Sequence, residues 1–115
     1  MKTRVKATKT VLTPPIERRI DRICTRLEKL TPKKHRSELS CAIEVGTITK
    51  HHKKGDVSRA EINFFAMGTL FRAKARGESV GKALDLAHHE IKRQYAHFRH
   101  KQESVARRTG VYALR

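Results

Sequence analysis

GESVGKALDLAHHEIKRQYAHFRHK, residues 77–101, carries one apolar stripe and one strongly cationic back. Val80, Leu84, Ala87, Ile91, Tyr95 and Phe98 recur at steps of four, three, four, four and three. At about 100° per residue they share a narrow sector, which predicts an amphipathic helix. Lys82, Asp85, His89, Lys92, Arg93 and His100 point the other way. Ser79 fits the N-cap position and Gly77 ends the preceding element. A helix this apolar on one side needs a surface to lie on, and the preceding chain reads as a sheet.

Residues 2–8 alternate Thr3, Val5 and Ala7 with Lys2, Arg4, Lys6 and Thr8, a short strand with a weakly apolar side. Residues 10–13 turn the chain into TPPIERRIDRICTRLEKL, a second amphipathic helix. Thr13 is its expected cap, and Pro14 and Pro15 stand where a helix misses no N–H. Ile16, Ile20, Ile23, Cys24, Leu27 and Leu30 form its expected buried stripe, and Thr31-Pro32 stops it. A basic loop over residues 33–37 leads to a strand over 38–45, with Leu39, Cys41, Ile43 and Val45 inward. Gly46 marks a possible bulge, and residues 50–56, KHHKKGD, read as a charged hairpin tip. Two more strands follow over 57–65 and 69–75, with Ala60, Ile62, Phe64, Phe71, Ala73 and Ala75 inward and Ala66-Met67-Gly68 as the turn.

The expected class is therefore α+β, in the order β-α-β-β-β-α. A four-stranded, mostly antiparallel sheet carries both helices on one face. The domain is expected over residues 1–101. Beyond it the periodicity fades, and residues 102–115 read as a basic, mobile tail.

Composition narrows the function. The 115 residues contain 27 Lys and Arg against 11 Asp and Glu, a formal net charge of +16, with 37% hydrophobic residues and no Trp. Such an excess repels itself in a compact chain and favours a polyanionic partner, nucleic acid first. A membrane partner is disfavoured, because no apolar run approaches the roughly 18–20 residues of a bilayer span. The opening MKTRVKATKT has no apolar signal-peptide core, so a cytoplasmic location is expected. Cys24 and Cys41 fall on inward positions of two elements and match no metal spacing, which reads as two buried thiols rather than a disulfide. The histidines at 51, 52, 88, 89, 97 and 100 lack an acidic or Cys partner at ligand spacing, so no metal and no cofactor are expected. They read as solvated or phosphate-contacting. No nucleophile with its base and no glycine-rich phosphate loop is present, so the chain does not read as an enzyme.

The candidate RNA-binding residues are the cations on the two helix backs. They are Arg18, Arg22, Arg26 and Lys29 on the first, and Lys82, His89, Lys92, Arg93, Arg99 and Lys101 on the second. Phosphates along folded RNA suit such ridges, since A-form RNA hides its base edges. Phe65 is the one candidate for an exposed ring, with packing at an edge preferred over base stacking.

In this order and spacing several segments together resemble the ribosome hibernation-promoting factor family, also called ribosome-associated inhibitor A or sigma modulation proteins. They are Leu12-Thr13, Leu27-Glu28-Lys29, Ala60-Glu61-Ile62, Gly77-Glu78-Ser79, Ala83-Leu84-Asp85 and Arg93-Gln94. Gly81 replaces the family's usual larger apolar residue, and His88-His89 is unusual in it. The resemblance covers nearly nine-tenths of the chain and implies the short form, without a C-terminal dimerisation domain. It further implies a monomer that occupies the decoding channel of the small ribosomal subunit, in the 70S ribosome, contacts rRNA there and blocks translation. A general double-stranded RNA-binding module is the alternative within RNA binding. A regulatory module for an acidic protein partner is the alternative outside it.

Overall fold

The computed structural model describes residues 1–48 and 57–109. Seven elements follow one another: β1 (Lys2–Thr8), α1 (Pro14–Leu30), a 3-10 helix (Lys33–Glu38), β2 (Ser40–Thr47), β3 (Ser58–Ala66), β4 (Thr69–Gly77) and α2 (Val80–Thr109). The sheet runs β1-β2-β3-β4. β1 lies parallel to β2, while β2–β3 and β3–β4 are antiparallel. The parallel pair follows from the connection: α1 spans the gap between the two strands, as a crossover must. Both helices cover one face, so the expected α+β order and layering hold.

Local chemistry explains the boundaries. Thr13 Oγ1 accepts from the Ile16 N–H at 3.4 Å, with Pro14 and Pro15 in the first two helical positions. Ser79 Oγ accepts from the Lys82 N–H at 3.1 Å and so caps α2. Met67 and Gly68 both adopt positive φ, 53° and 75°, and Ala66 pairs with Thr69. That is a two-residue hairpin whose twist matches the flanking strands. Gly68 takes this geometry without penalty, whereas Met67 carries the local strain.

One aliphatic core joins the layers: Ile20, Ile23 and Leu27 of α1, Ile43 and Val45 of β2, Ile62 and Phe64 of β3, and Leu84, Ala87 and Ile91 of α2 are buried. A fully buried side chain of this size contributes about 1.5–3 kcal/mol. At one end four rings cluster. Phe71 meets Tyr95 and Phe98 edge-on at 5.5 and 5.4 Å between centroids, and Phe64 lies 6.3 Å from Phe71. Under α1, the Cys24 thiol contacts the Cys41 thiol of β2 and the Thr3 side chain of β1. Both cysteines are buried and free. The shared S–H contact lowers the Cys24 pKa, and the same contact with burial raises that of Cys41.

Four expectations are corrected. α2 does not end at residue 101 but continues to Thr109. Phe98, Gln102, Val105 and Ala106 prolong its spacing, and Ala106 is buried. Polar Gln102 hid the stripe, and no Gly or Pro breaks it before Gly110. Residues 110–115 of the expected mobile tail lie outside the described residues. Gly46 makes no bulge: it pairs in register with Thr8 and Arg59, and a Cβ there would lie 2.9 Å from the Thr8 carbonyl. Residues 33–38 form the 3-10 helix instead of a plain loop. Leu30 is 44% exposed, so α1's buried stripe stops at Leu27. The charged hairpin tip at 50–56 lies outside the described residues.

Candidate nucleic-acid interface

On α1, Arg19, Arg22 and Arg26 are spaced three and four apart and so share a side of the helix. On α2, Asp85, His88, His89 and Lys92 do the same. The two sets face each other across a groove of about 560 Å³ between the helices, floored by Ile23. Part of each cationic ridge, Arg22 and Arg26 on α1 and His89 and Lys92 on α2, therefore borders one shared valley.

One ion pair bridges the groove. Arg19 Nη1 donates to both Asp85 oxygens, at 2.7 and 2.6 Å. Both side chains are substantially exposed, so the pair is worth at most about 1 kcal/mol. Its geometric effect is to join the helices at one end. Gly81, one turn before Asp85, makes room for it: a Cβ there would sit 3.2 Å from Arg19 Nε. Beyond that pair, Arg22, Arg26 and Lys92 have no carboxylate partner among the described residues.

The expected contact residues divide accordingly. Arg22, Arg26, His89 and Lys92 line the groove. Arg18, Lys29, Lys82 and Lys101 are exposed but stand outside it. Arg93 is exposed and chelated by Glu90 on its own helix, at 2.9 and 2.6 Å. That bond, with one from Gln94, holds the Glu90 pKa down at about 2. Arg99 belongs to another surface. It lies beside the β3–β4 turn, its Nη1 3.2 Å from Met67 Sδ, in a depression also lined by Pro32, His35 and Ala106.

His88 does not fit the solvated or phosphate-contacting reading. It is 6% exposed, and its Nε2 is buried without a hydrogen-bond partner among the described residues. Leu84, His88, Ile91 and Tyr95 step by four, three and four, the spacing that places His88 on the edge of the buried stripe. Burial, then the charges of Lys92 and Arg26, push its pKa below the ordinary value, against the weaker pull of Asp85; His89 adds to the lowering. An unfolded histidine titrates near about 6.5. Between that value and the lower folded one the unfolded chain binds more protons, so stability falls as pH falls through this window. Urea midpoints at pH 7.5 and 5.5 should show a larger acid loss for the wild type than for His88→Leu. At pH 7.5 the variant should be more stable by about 1 kcal/mol, since an unsatisfied buried polar atom costs about 1–3 kcal/mol.

A four-stranded mixed sheet under two helices, with a shared cationic valley, defines a small α+β binding module. Residues 3–103 match the family model described as sigma 54 modulation protein / S30EA ribosomal protein, and the chain belongs to that family. Members are non-enzymatic, ribosome-associated factors. No curated protein matches the chain. Among solved structures it resembles the N-terminal domain of Protein Y from Thermus thermophilus, with a TM-score of 0.67 at 20% identity over 85% of this chain and 99% of that one. It also resembles a ribosomal subunit interface protein from Coxiella burnetii, with a TM-score of 0.66 at 17% identity over 86% and 98% of the two chains. At these identities the likeness is one of fold. No described helix is long and apolar enough to cross a membrane.

Proposed function

We propose that this protein is a cytoplasmic, monomeric translation inhibitor that occupies the decoding channel of the small ribosomal subunit. In this reading it binds rRNA through the helix pair in the resting 70S ribosome, where mRNA and tRNA would otherwise sit. The observation that carries the reading is the valley between α1 and α2, where Arg22, Arg26 and Lys92 converge without carboxylate partners. Two parallel ridges of phosphate-binding cations match the paired backbones of folded RNA better than a single exposed helix would. The family's association with ribosomes and the names of its structural neighbours support the target. The exposed cations outside the groove, Arg18, Lys29, Lys82, Arg93 and Lys101, add to the attraction at longer range.

The test is co-sedimentation with purified ribosomes and inhibition of translation in vitro, both at low and at moderate salt. The protein should pellet with ribosomes, lose affinity steeply as salt rises and lower peptide synthesis. A protein that stays in the supernatant at low salt, or leaves synthesis untouched, overturns the reading. Equal affinity for ribosomes and for any RNA duplex would instead identify a general duplex binder.

A further inference from the structure

The face of the sheet turned away from the helices has its own pattern. Strand registers order its side chains in four rows across β1, β2, β3 and β4: Lys2-Ser40-Phe65-Leu70, Arg4-Ala42-Asn63-Arg72, Lys6-Glu44-Glu61-Lys74 and Thr8-Gly46-Arg59-Arg76. Both carboxylates fall in the third row and both are engaged. Glu44 accepts from Arg59 at 2.8 Å and from Thr8 at 3.3 Å, while Glu61 lies 3.8 Å from Lys74 and 3.9 Å from Arg72. The first two rows contain no acid at all.

Those two rows make a trough. Ser40 and Ala42 are short, so β2 forms a floor between the long cations of β1 and the side chains of β3. The depression measures about 310 Å³, and Lys2, Arg4, Ser40, Ala42, Asn63 and Phe65 are among its lining residues. Phe65 is 39% exposed and its cross-strand neighbour Leu70 52%, an apolar pair on an otherwise polar face. Asn63 Oδ1 accepts from Arg72 Nε at 2.7 Å, which fixes the amide and turns its NH2 to donate elsewhere. An exposed ring, an oriented amide and two cations along the opposite wall are the parts of a site for one unpaired nucleotide. The ring stacks the base and the cations take the flanking phosphates.

We infer that this trough binds an unpaired ribonucleotide, its base against Phe65 and its phosphates on Lys2 and Arg4. The inference rests on the RNA-binding reading above but uses a different face. α1 and α2 would hold paired backbones while the sheet holds a flipped-out or single-stranded base. Charge complementarity selects this occupant. An apolar partner would have to bury Lys2 and Arg4 unpaired, which is costly.

The probe is a short single-stranded oligoribonucleotide carrying one 2-aminopurine, titrated with the full chain while base fluorescence is followed. Stacking should quench the fluorophore. Phe65→Ala should remove the quench and weaken binding about tenfold. Phe65→Tyr should restore both, and Arg4→Glu should weaken binding with the ring intact. Thermal melts of each variant check folding, and Arg4→Glu serves as the readout should Phe65→Ala melt early. Unchanged quenching and affinity in Phe65→Ala, or in Arg4→Glu, overturn the site. So does equal, Phe65-dependent binding of a polyglutamate peptide, which would mark a protein surface. Ribosome pelleting separates the two readings. A chain that fails to pellet yet shows Phe65-dependent quenching keeps the trough and loses the ribosomal target. Normal pelleting with a silent Phe65→Ala does the reverse.

Discussion

Replacing Arg22 and Arg26 together with glutamate is expected to release the protein from ribosomes, with affinity at moderate salt falling at least about a hundredfold. A hydrogen bond to a charged group contributes about 1.5–3 kcal/mol, so losing two, before any repulsion, already reaches that size. Both residues line the inter-helix groove, and neither has a carboxylate partner among the described residues, so reversal adds repulsion towards phosphate without stranding an internal carboxylate. Exposed sites on the outside of α1 allow the comparison. Arg18→Ala or Lys29→Ala should weaken binding only mildly and reduce the slope of log affinity against log salt by about one at most. The measurement is pelleting across a salt series for all three variants. Equal losses from Arg18 and from the Arg22/Arg26 pair would mean that the valley has no special standing. Folding should be untouched, because surface changes away from caps and core usually move stability by less than about 0.5 kcal/mol.

The second large effect concerns two neighbouring rings. Phe64→Ala is expected to cost about 3–5 kcal/mol, which threatens folding at growth temperature in a domain of this size. Phe64 is fully buried and packs against Phe71 and Tyr95, at 6.3 and 6.1 Å between centroids. Its truncation leaves a void at the junction of sheet and α2, where the neighbours are fixed by their own ring contacts. Phe65→Ala, one residue along, should cost far less, since that ring faces the opposite side and is partly solvated. Chemical denaturation of the two variants reads the contrast directly. A small loss for Phe64→Ala would mean that the aromatic cluster collapses around the void.

That contrast was available from alternation alone, as were most of the elements. Clean period-two runs in residues 38–45, 57–65 and 69–75 specify which side chains enter the core, because a one-residue slip would turn them all outward. Thr13 with its two prolines and Ser79 after Gly77 announce the helix starts chemically. The stops were harder. α2 lost its signal at Gln102, where a polar residue occupies the inner stripe although nothing in the chemistry of 102–109 breaks a helix. Leu30 reads as core by spacing yet is 44% exposed, because what lies over the last turn of α1 is set by tertiary packing, which spacing cannot express.

At the interface, the basic backs were legible as sets but not as neighbours. Which Arg faces the partner helix is decided by the rotation of α1 over β1 and β2, a tertiary quantity. So Arg22, Arg26, His89 and Lys92 came together, while Arg99 turned towards the β3–β4 turn. Arg19 joins the groove set, and the sequence signal for it is the three- and four-residue spacing it shares with Arg22 and Arg26. The open sheet face is not legible along the chain because its meaning is two-dimensional. Lys2, Ser40, Phe65 and Leu70 are scattered along the chain and meet only through register.

Register also arms the rims. The two outermost strands each present three cations on the same side: Lys2, Arg4 and Lys6 on β1, and Arg72, Lys74 and Arg76 on β4. Unpaired backbone along an outer strand ordinarily invites a second molecule to continue the sheet. Here every such junction, whichever rims meet, sets like charges opposite one another, an arrangement that disfavours pairing. Edge-to-edge association between copies of this chain is therefore disfavoured along its described strands.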